Sequence, residues 1–175
     1  MSGKKKFTIG IDYGTDAVRA ILVDVSNGKC VASSIYKYTH GIITDHLPDT
    51  DIEIDRGSML QHPRDYNTAL RRTVPKLIKD SKIDLDQIIG IGVDFNGSTV
   101  IPTTADGTPL ALIDDYKDDP QAWPKFWKHQ AAKDKAERLT QLAVDRFETF
   151  IDRYGGKINA EWFFPKVWEI FDESS

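Results

Sequence analysis

The chain has 175 residues, 40% hydrophobic and 29% charged, with 12 Gly and 8 Pro, a composition that excludes collagen-like, coiled-coil and disordered classes. Its 23 Lys and Arg against 27 Asp and Glu give a net charge of −4, which leaves no electrostatic case for a nucleic-acid partner. Its one cysteine, Cys30, cannot form an internal disulfide, and no run approaches the ~20 apolar residues of a membrane-spanning helix.

The basic start, MSGKKK, leads into an apolar run that Asp12 cuts too early for a signal-peptide core, so the chain reads as cytoplasmic with no membrane partner. Phe7 to Ile11 is a β-type run. Ala17 to Val25 is a second, and Cys30 to Tyr38 a third. The turn Asp12-Tyr13-Gly14-Thr15 joins the first two, and Ser26-Asn27-Gly28-Lys29, with its Asn-Gly hairpin signal, joins the next. The chain therefore opens as a three-strand antiparallel meander. Thr39 to Gln61 lacks periodicity, carries five acidic residues and reads as a long, solvated loop.

Pro63 suits the first position of a helix, in which Tyr66, Leu70, Val74, Leu77 and Ile78 make one apolar stripe. Pro75 predicts a kink or break near Val74. Ile88 to Phe95 is apolar on both alternating faces, the pattern of a parallel strand buried on two sides. Thr99 to Thr103 and Pro109 to Ile113 flank the hairpin signal Ala105-Asp106-Gly107. Beyond Asp119-Pro120 the texture turns helical. Ala136, Leu139, Ala143, Phe147, Phe150 and Tyr154 predict one amphipathic helix stopped by Gly155-Gly156, and a last helix starts near Pro165. The chain thus divides into a sheet-rich core over 1–113 and a mostly helical segment over 114–175.

The segment GIDYGTDAVRA, Gly10 to Ala20, carries the most chemistry. A strand delivers the Asp12 carboxylate at its end, and Gly14 permits a positive φ and close backbone approach to a ligand. Thr15 adds a hydroxyl and an N–H, and successive N–H groups in such a turn form an anion-binding concavity. Asp12 can hold Mg²⁺ through water, and Arg19 on the return strand can neutralise phosphate or pair with Asp12. The segment therefore reads as a nucleotide phosphate and metal site. The competing reading is a plain β-turn. Neither G-x-x-x-x-G-K-[ST] nor G-x-G-x-x-G occurs.

GIDYGTDAVRA resembles the first phosphate motif of the actin-like ATPases. LQHPRDY, IIGIGVDFNGSTV, GTPL, YKDDPQAWPKFWKHQAA, RYGGKI and EWFFPKVW extend the resemblance to the FGGY carbohydrate kinases, over nearly the whole of Phe7 to Asp172. It is greatest to the bacterial branch that phosphorylates L-ribulose. The resemblance implies an α/β, actin-like (ribonuclease H-like) domain: a mixed sheet opened by the meander, plus a helical insertion. It implies an incomplete N-terminal kinase domain over 1–175, with ATP and Mg²⁺ as cofactors.

By the same resemblance Asp12, Gly14, Thr15 and Arg19 bind the nucleotide, with Asp12 at the metal. Asn96, Gly97, Lys128, His129 and Glu161 face a pentulose, L-ribulose or a relative. The family's catalytic base falls beyond Ser175, so the chain alone is expected not to turn over. Where the family shows Ser-Ser before Glu-Trp, this chain has Asn159-Ala160. Trp123, Phe126 and Trp127 read equally as helix-packing core, and His129 as a hydrogen-bonded structural histidine. The partner expected besides the sugar is a second copy in a homodimer. The alternative from another class is a non-enzymatic actin-like nucleotide-binding module.

Overall fold

The computed structural model describes residues 4–174, and these divide into two compact units. The first comprises the chain up to Gly41 with Arg64–Asn96; the second comprises Ile42–Pro63 with the chain from Gly97 onward. Thus 42–63 and 97–113 group with the helical part.

In the first unit β1 (Phe7–Tyr13), β2 (Ala17–Asp24) and β3 (Lys29–Lys37) form the expected meander. Gly28 takes φ 70° in the second turn, a conformation that favours glycine. The 19-residue helix α1 (Pro63–Ser81) crosses one face. Its Ala69, Thr73 and Leu77 are buried, and Ala69 and Leu77 join Phe7, Ile9, Ile11, Val18, Ala20 and Leu22 in one core. Each large aliphatic side chain buried there contributes about 1.5–3 kcal/mol. The helix runs unbroken through Pro75, so of the expected kink or break near Val74 the break does not occur. Pro75 is exposed, so water can bond the carbonyl its missing N–H leaves behind, while Thr73 and Leu77 hold the flanking turns.

The fourth strand, β6 (Ile88–Phe95), pairs parallel to β1, giving the order β3-β2-β1-β6. The parallel pairing is as expected; burial on both sides is not. This is an edge strand of the described sheet, and Ile89, Ile91, Val93 and Phe95 are more than half exposed. Beyond a shift between Phe7 and Thr8 the register is regular. It sets Asp12 opposite Arg19 on one side and Asp94 on the other, at the carboxyl end of the parallel pair.

In the second unit the short strands β4 (Ile42–Ile43) and β5 (Leu60–Gln61) pair antiparallel. Ile43, Leu47 and Leu60 pack with Ala111, Ala122 and Trp123, so part of the expected solvated loop is core. The hairpin at Asp106-Gly107 forms, through the Thr103–Pro109 bridge, but Leu110–Leu112 is a 3₁₀ turn rather than a strand. The single helix expected across 136–154 is two, α2 (Lys133–Asp145) and α3 (Phe150–Arg153). Phe147 sits between them at φ 56°, a left-handed value that ends α2, and its ring is 89% exposed. Gly155 and Gly156 take positive φ as expected. The last helix, α4 (Phe163–Glu173), packs on α2. Among the described residues no helix is long and apolar enough to cross a membrane.

Candidate functional site

The hairpin head gathers the residues expected at a nucleotide. Asp12 ends the sheet face away from α1, and its side chain is half exposed. Arg19 reaches over from β2, with Nη1 3.9 Å from Asp12 Oδ2 and Nη2 3.2 Å from Asp16 Oδ1. The guanidinium is thus held between two carboxylates, both in water's reach, which lowers the worth of each pair but leaves the cation available to an anion. An open pocket of about 530 Å³ lies beside them, lined by Gly10, Asp12, Arg19, Ile21, Gly92 and Asp94 among others. Gly10 and Gly92 are register partners and give the pocket a flat floor.

Gly14 does its work differently from the expectation. It is absent from the residues with positive φ. Its N–H donates to the Ala17 carbonyl at 3.0 Å, so that donor serves the turn. What glycine supplies is room: a Cβ there would fall 2.5 Å from Arg19 Nη1 and 3.2 Å from Ala17 O. Thr15 lies half-buried in the same bend. Behind the hairpin Tyr13, Tyr38 and Tyr66 stack edge to face, and burial raises all three phenol pKa values, so they are neutral walls.

Of the residues expected at a sugar, Asn96 follows β6 and its N–H donates to the Tyr13 carbonyl at 3.3 Å. Gly97 is exposed, and a Cβ there would meet nothing. Lys128 is exposed, with its ammonium 4.8 Å from the centre of the Trp127 ring. Glu161 Oε1 accepts from Gln130 Nε2 at 2.8 Å, and the same amide approaches the Lys128 carbonyl at 3.4 Å. Gln130 therefore brings Lys128 and Glu161 together.

His129 departs from the rest: it is wholly buried, so the expected sugar contact is not available to it. Its Nδ1 accepts from Met59 N–H at 3.1 Å, which leaves Nε2 to carry the proton toward Glu169 at 2.8 Å. The ring is neutral: burial lowers its pKa, and the nearby Glu169 only partly offsets that. Glu169 also accepts from Lys125 Nζ at 2.9 Å. Burial pushes the Glu169 pKa up, but the His129 hydrogen bond and the Lys125 charge outweigh it and hold it below the usual range. Trp123 and Phe126 are core, as their alternative reading had it.

The FGGY family of carbohydrate kinases, N-terminal domain, matches residues 7–152. The chain belongs to this family. Over 169 residues it is 48% identical to a ribulokinase of Halalkalibacterium halodurans, a match covering 97% of this chain and 30% of the relative. It is 42% identical over 170 residues to a ribulokinase of Geobacillus thermodenitrificans, with the same coverages. A xylulose kinase from Brucella ovis shares the fold at TM-score 0.71 and 20% identity, over 96% of this chain and 30% of that one. A gluconate kinase from Lactobacillus acidophilus does so at TM-score 0.62 and 24% identity, over 97% and 30%. The chain thus spans about a third of the length of the relatives it matches. The FGGY N-terminal domain carries the actin-like α/β fold expected from the motifs.

Two site features of this FGGY chain escaped the sequence reading. Gln130 gave no signal beyond its polarity. Lys166 and Glu169 did give one: they are the charged residues within FFPKVWEIF, spaced to share a helix face, and buried charges in such a helix must have partners.

Proposed function

We propose that this chain supplies the N-terminal part of an ATP-dependent ribulokinase of the cytoplasm. The reaction moves the γ-phosphoryl of ATP to the 5-hydroxyl of L-ribulose. The bond from the γ-phosphorus to the β,γ-bridging oxygen breaks, a bond to O5 forms, and the products are ADP and L-ribulose 5-phosphate. The O5 proton passes to a base that this chain does not contribute. The observation that carries the nucleotide half is the convergence of Asp12 and Arg19 on the open pocket at the end of β1. The sugar follows from likeness to the ribulokinases.

The donor set fits Mg²⁺. Asp12 offers a hard, half-exposed oxygen, and among the described residues no group of three or more His, Cys, Asp or Glu could hold a metal by itself. A cation at Asp12 would keep its waters and bind phosphate oxygens, as Mg²⁺ does, and neutralise the charge that develops in transfer. Arg19 adds a planar cation for the phosphates, in the space Gly14 leaves. Thr15, in the same bend, is assigned to the phosphates as well. Asn96, Gly97, Lys128 and Glu161 are assigned to the sugar hydroxyls, and His129 to the support of their scaffold.

The test is a coupled assay for ADP on the protein expressed to the end of its natural reading frame. L-Ribulose should be turned over in preference to xylulose, gluconate and glycerol, and only with Mg-ATP. Turnover of another of these sugars with none of L-ribulose would overturn the substrate. No turnover of any would overturn the kinase reading.

A further inference from the structure

Lys166 is wholly buried on α4, and each of its three ammonium donors finds an acceptor. Nζ donates to Phe126 O at 2.8 Å, to Ser98 O at 2.9 Å and to Trp127 O at 3.3 Å. All three acceptors are main-chain carbonyls, on two segments far apart in sequence. Burial draws the Lys166 pKa down to about 8, against the opposing pull of the Glu161 and Glu169 charges, so the ammonium is still mostly protonated at pH 7 and can donate to all three carbonyls.

Those two segments carry the sugar-side candidates. Ser98 follows Gly97, and Trp127 precedes Lys128. Ser98 sits at φ 63°, a left-handed conformation that a side chain resists and that surroundings must enforce. One turn along the same helix, Glu169 takes Lys125 and His129 from the other segment. A backbone bridge between Val100 and Lys125 joins the segments independently, with N···O distances of 2.9 and 3.2 Å. The two segments would therefore stay adjacent without Lys166; what the lysine adds is the orientation of their last carbonyls.

We propose that Lys166 is a positioning residue for the sugar: it fixes the Ser98 turn against Phe126–Trp127, and so sets where Gly97 and Lys128 meet the substrate. The inference rests on the ribulokinase reading.

The test uses the protein expressed to the end of its reading frame. Lys166→Met keeps the bulk and removes the donors; it should raise KM for L-ribulose at least tenfold, with kcat and KM for Mg-ATP changed less than threefold. Lys125→Met, buried in the same cluster but bonded to Glu169, should lower the melting temperature while leaving KM for the sugar within threefold. A Lys166→Met enzyme with unchanged sugar KM overturns the inference, as does an equal rise in both variants, which would mark a merely structural role. If Lys166→Met does not fold, amide exchange of the unaltered protein decides. Added L-ribulose must slow exchange at 97–100 and 126–128, and absence of that protection overturns the inference. Failure of the underlying reading looks different: the unaltered protein itself would show no saturation by L-ribulose.

Discussion

Gly14 and Arg19 meet so closely that a side chain on the first must move the second: the Cβ of any other residue would lie 2.5 Å from Arg19 Nη1. Glycine at 14 leaves room for the guanidinium, which lines the open pocket. Gly14→Ala should therefore swing Arg19 out, and its 3.2 Å approach to the Ala17 backbone oxygen should cost about 1 kcal/mol of stability. Nucleotide affinity should fall about tenfold, equivalent to about 1.4 kcal/mol. Calorimetric titration with Mg-ATP, beside a melting curve, checks both.

Glu169 is the anion on which a buried cluster turns. Glu169→Ala would leave the Lys125 ammonium and the His129 N–H buried without their acceptor. Removing one partner of such a pair costs about 3–5 kcal/mol, and urea unfolding should show that loss. The double substitution Lys125→Met with Glu169→Leu should recover only part of it, since the two apolar residues need no partners but the buried His129 N–H still lacks its acceptor.

The same cluster sets a pH dependence. Burial holds His129 below its ordinary value of 6.5, so the unfolded chain takes up this proton before the folded one. The stability this confers is complete above pH 6.5 and is lost as pH falls through the lower folded value. Glu169, depressed below 4.5, adds a loss of the same sign at lower pH. The urea midpoint should fall from pH 7.5 to pH 5, and fall less in His129→Asn, which cannot titrate. Equal slopes in the two proteins would refute this assignment.

Pro75 lies exposed in an unbroken helix, where its ring denies the Arg71 carbonyl a donor. Pro75→Ala should restore that bond and stabilise the protein by about 1 kcal/mol, the gain being trimmed by the greater freedom of the unfolded chain. A rise of a few degrees in melting temperature is the expected result.

How much of this was legible beforehand follows from what each signal measures. The meander could be read because local turn chemistry at Asn27-Gly28 and alternating β-branched runs decide it within a few residues. The Asp12 hairpin could be read because acid, glycine, hydroxyl and arginine fall in one short stretch. The solvated reading of 39–61 failed because Leu47 and Leu60 are buried by residues fifty and more positions away, which no local pattern registers. The single helix across 136–154 failed for a related reason: the apolar spacing continues through Phe147, but the backbone turns left-handed there and the stripe loses its face. Two-sided burial of β6 was inferred from an apolar run, and the run does not say which strand is an edge. The part of His129 was undecidable from WPKFWKH, because burial, not residue type, separates a scaffold histidine from a ligand-facing one.

The central claim is that Asp12 receives the metal-bound nucleotide. Titration of Mg-ATP into the unaltered protein and into Asp12→Asn, by calorimetry with and without Mg²⁺, tests it most directly. The account predicts that the substitution leaves the melting temperature within about two degrees, since a half-exposed carboxylate holds little of the fold. It predicts that nucleotide affinity in Mg²⁺ falls tenfold or more, and that the difference between the proteins vanishes when the metal is withheld. Equal Mg-ATP affinity in the two proteins would contradict it.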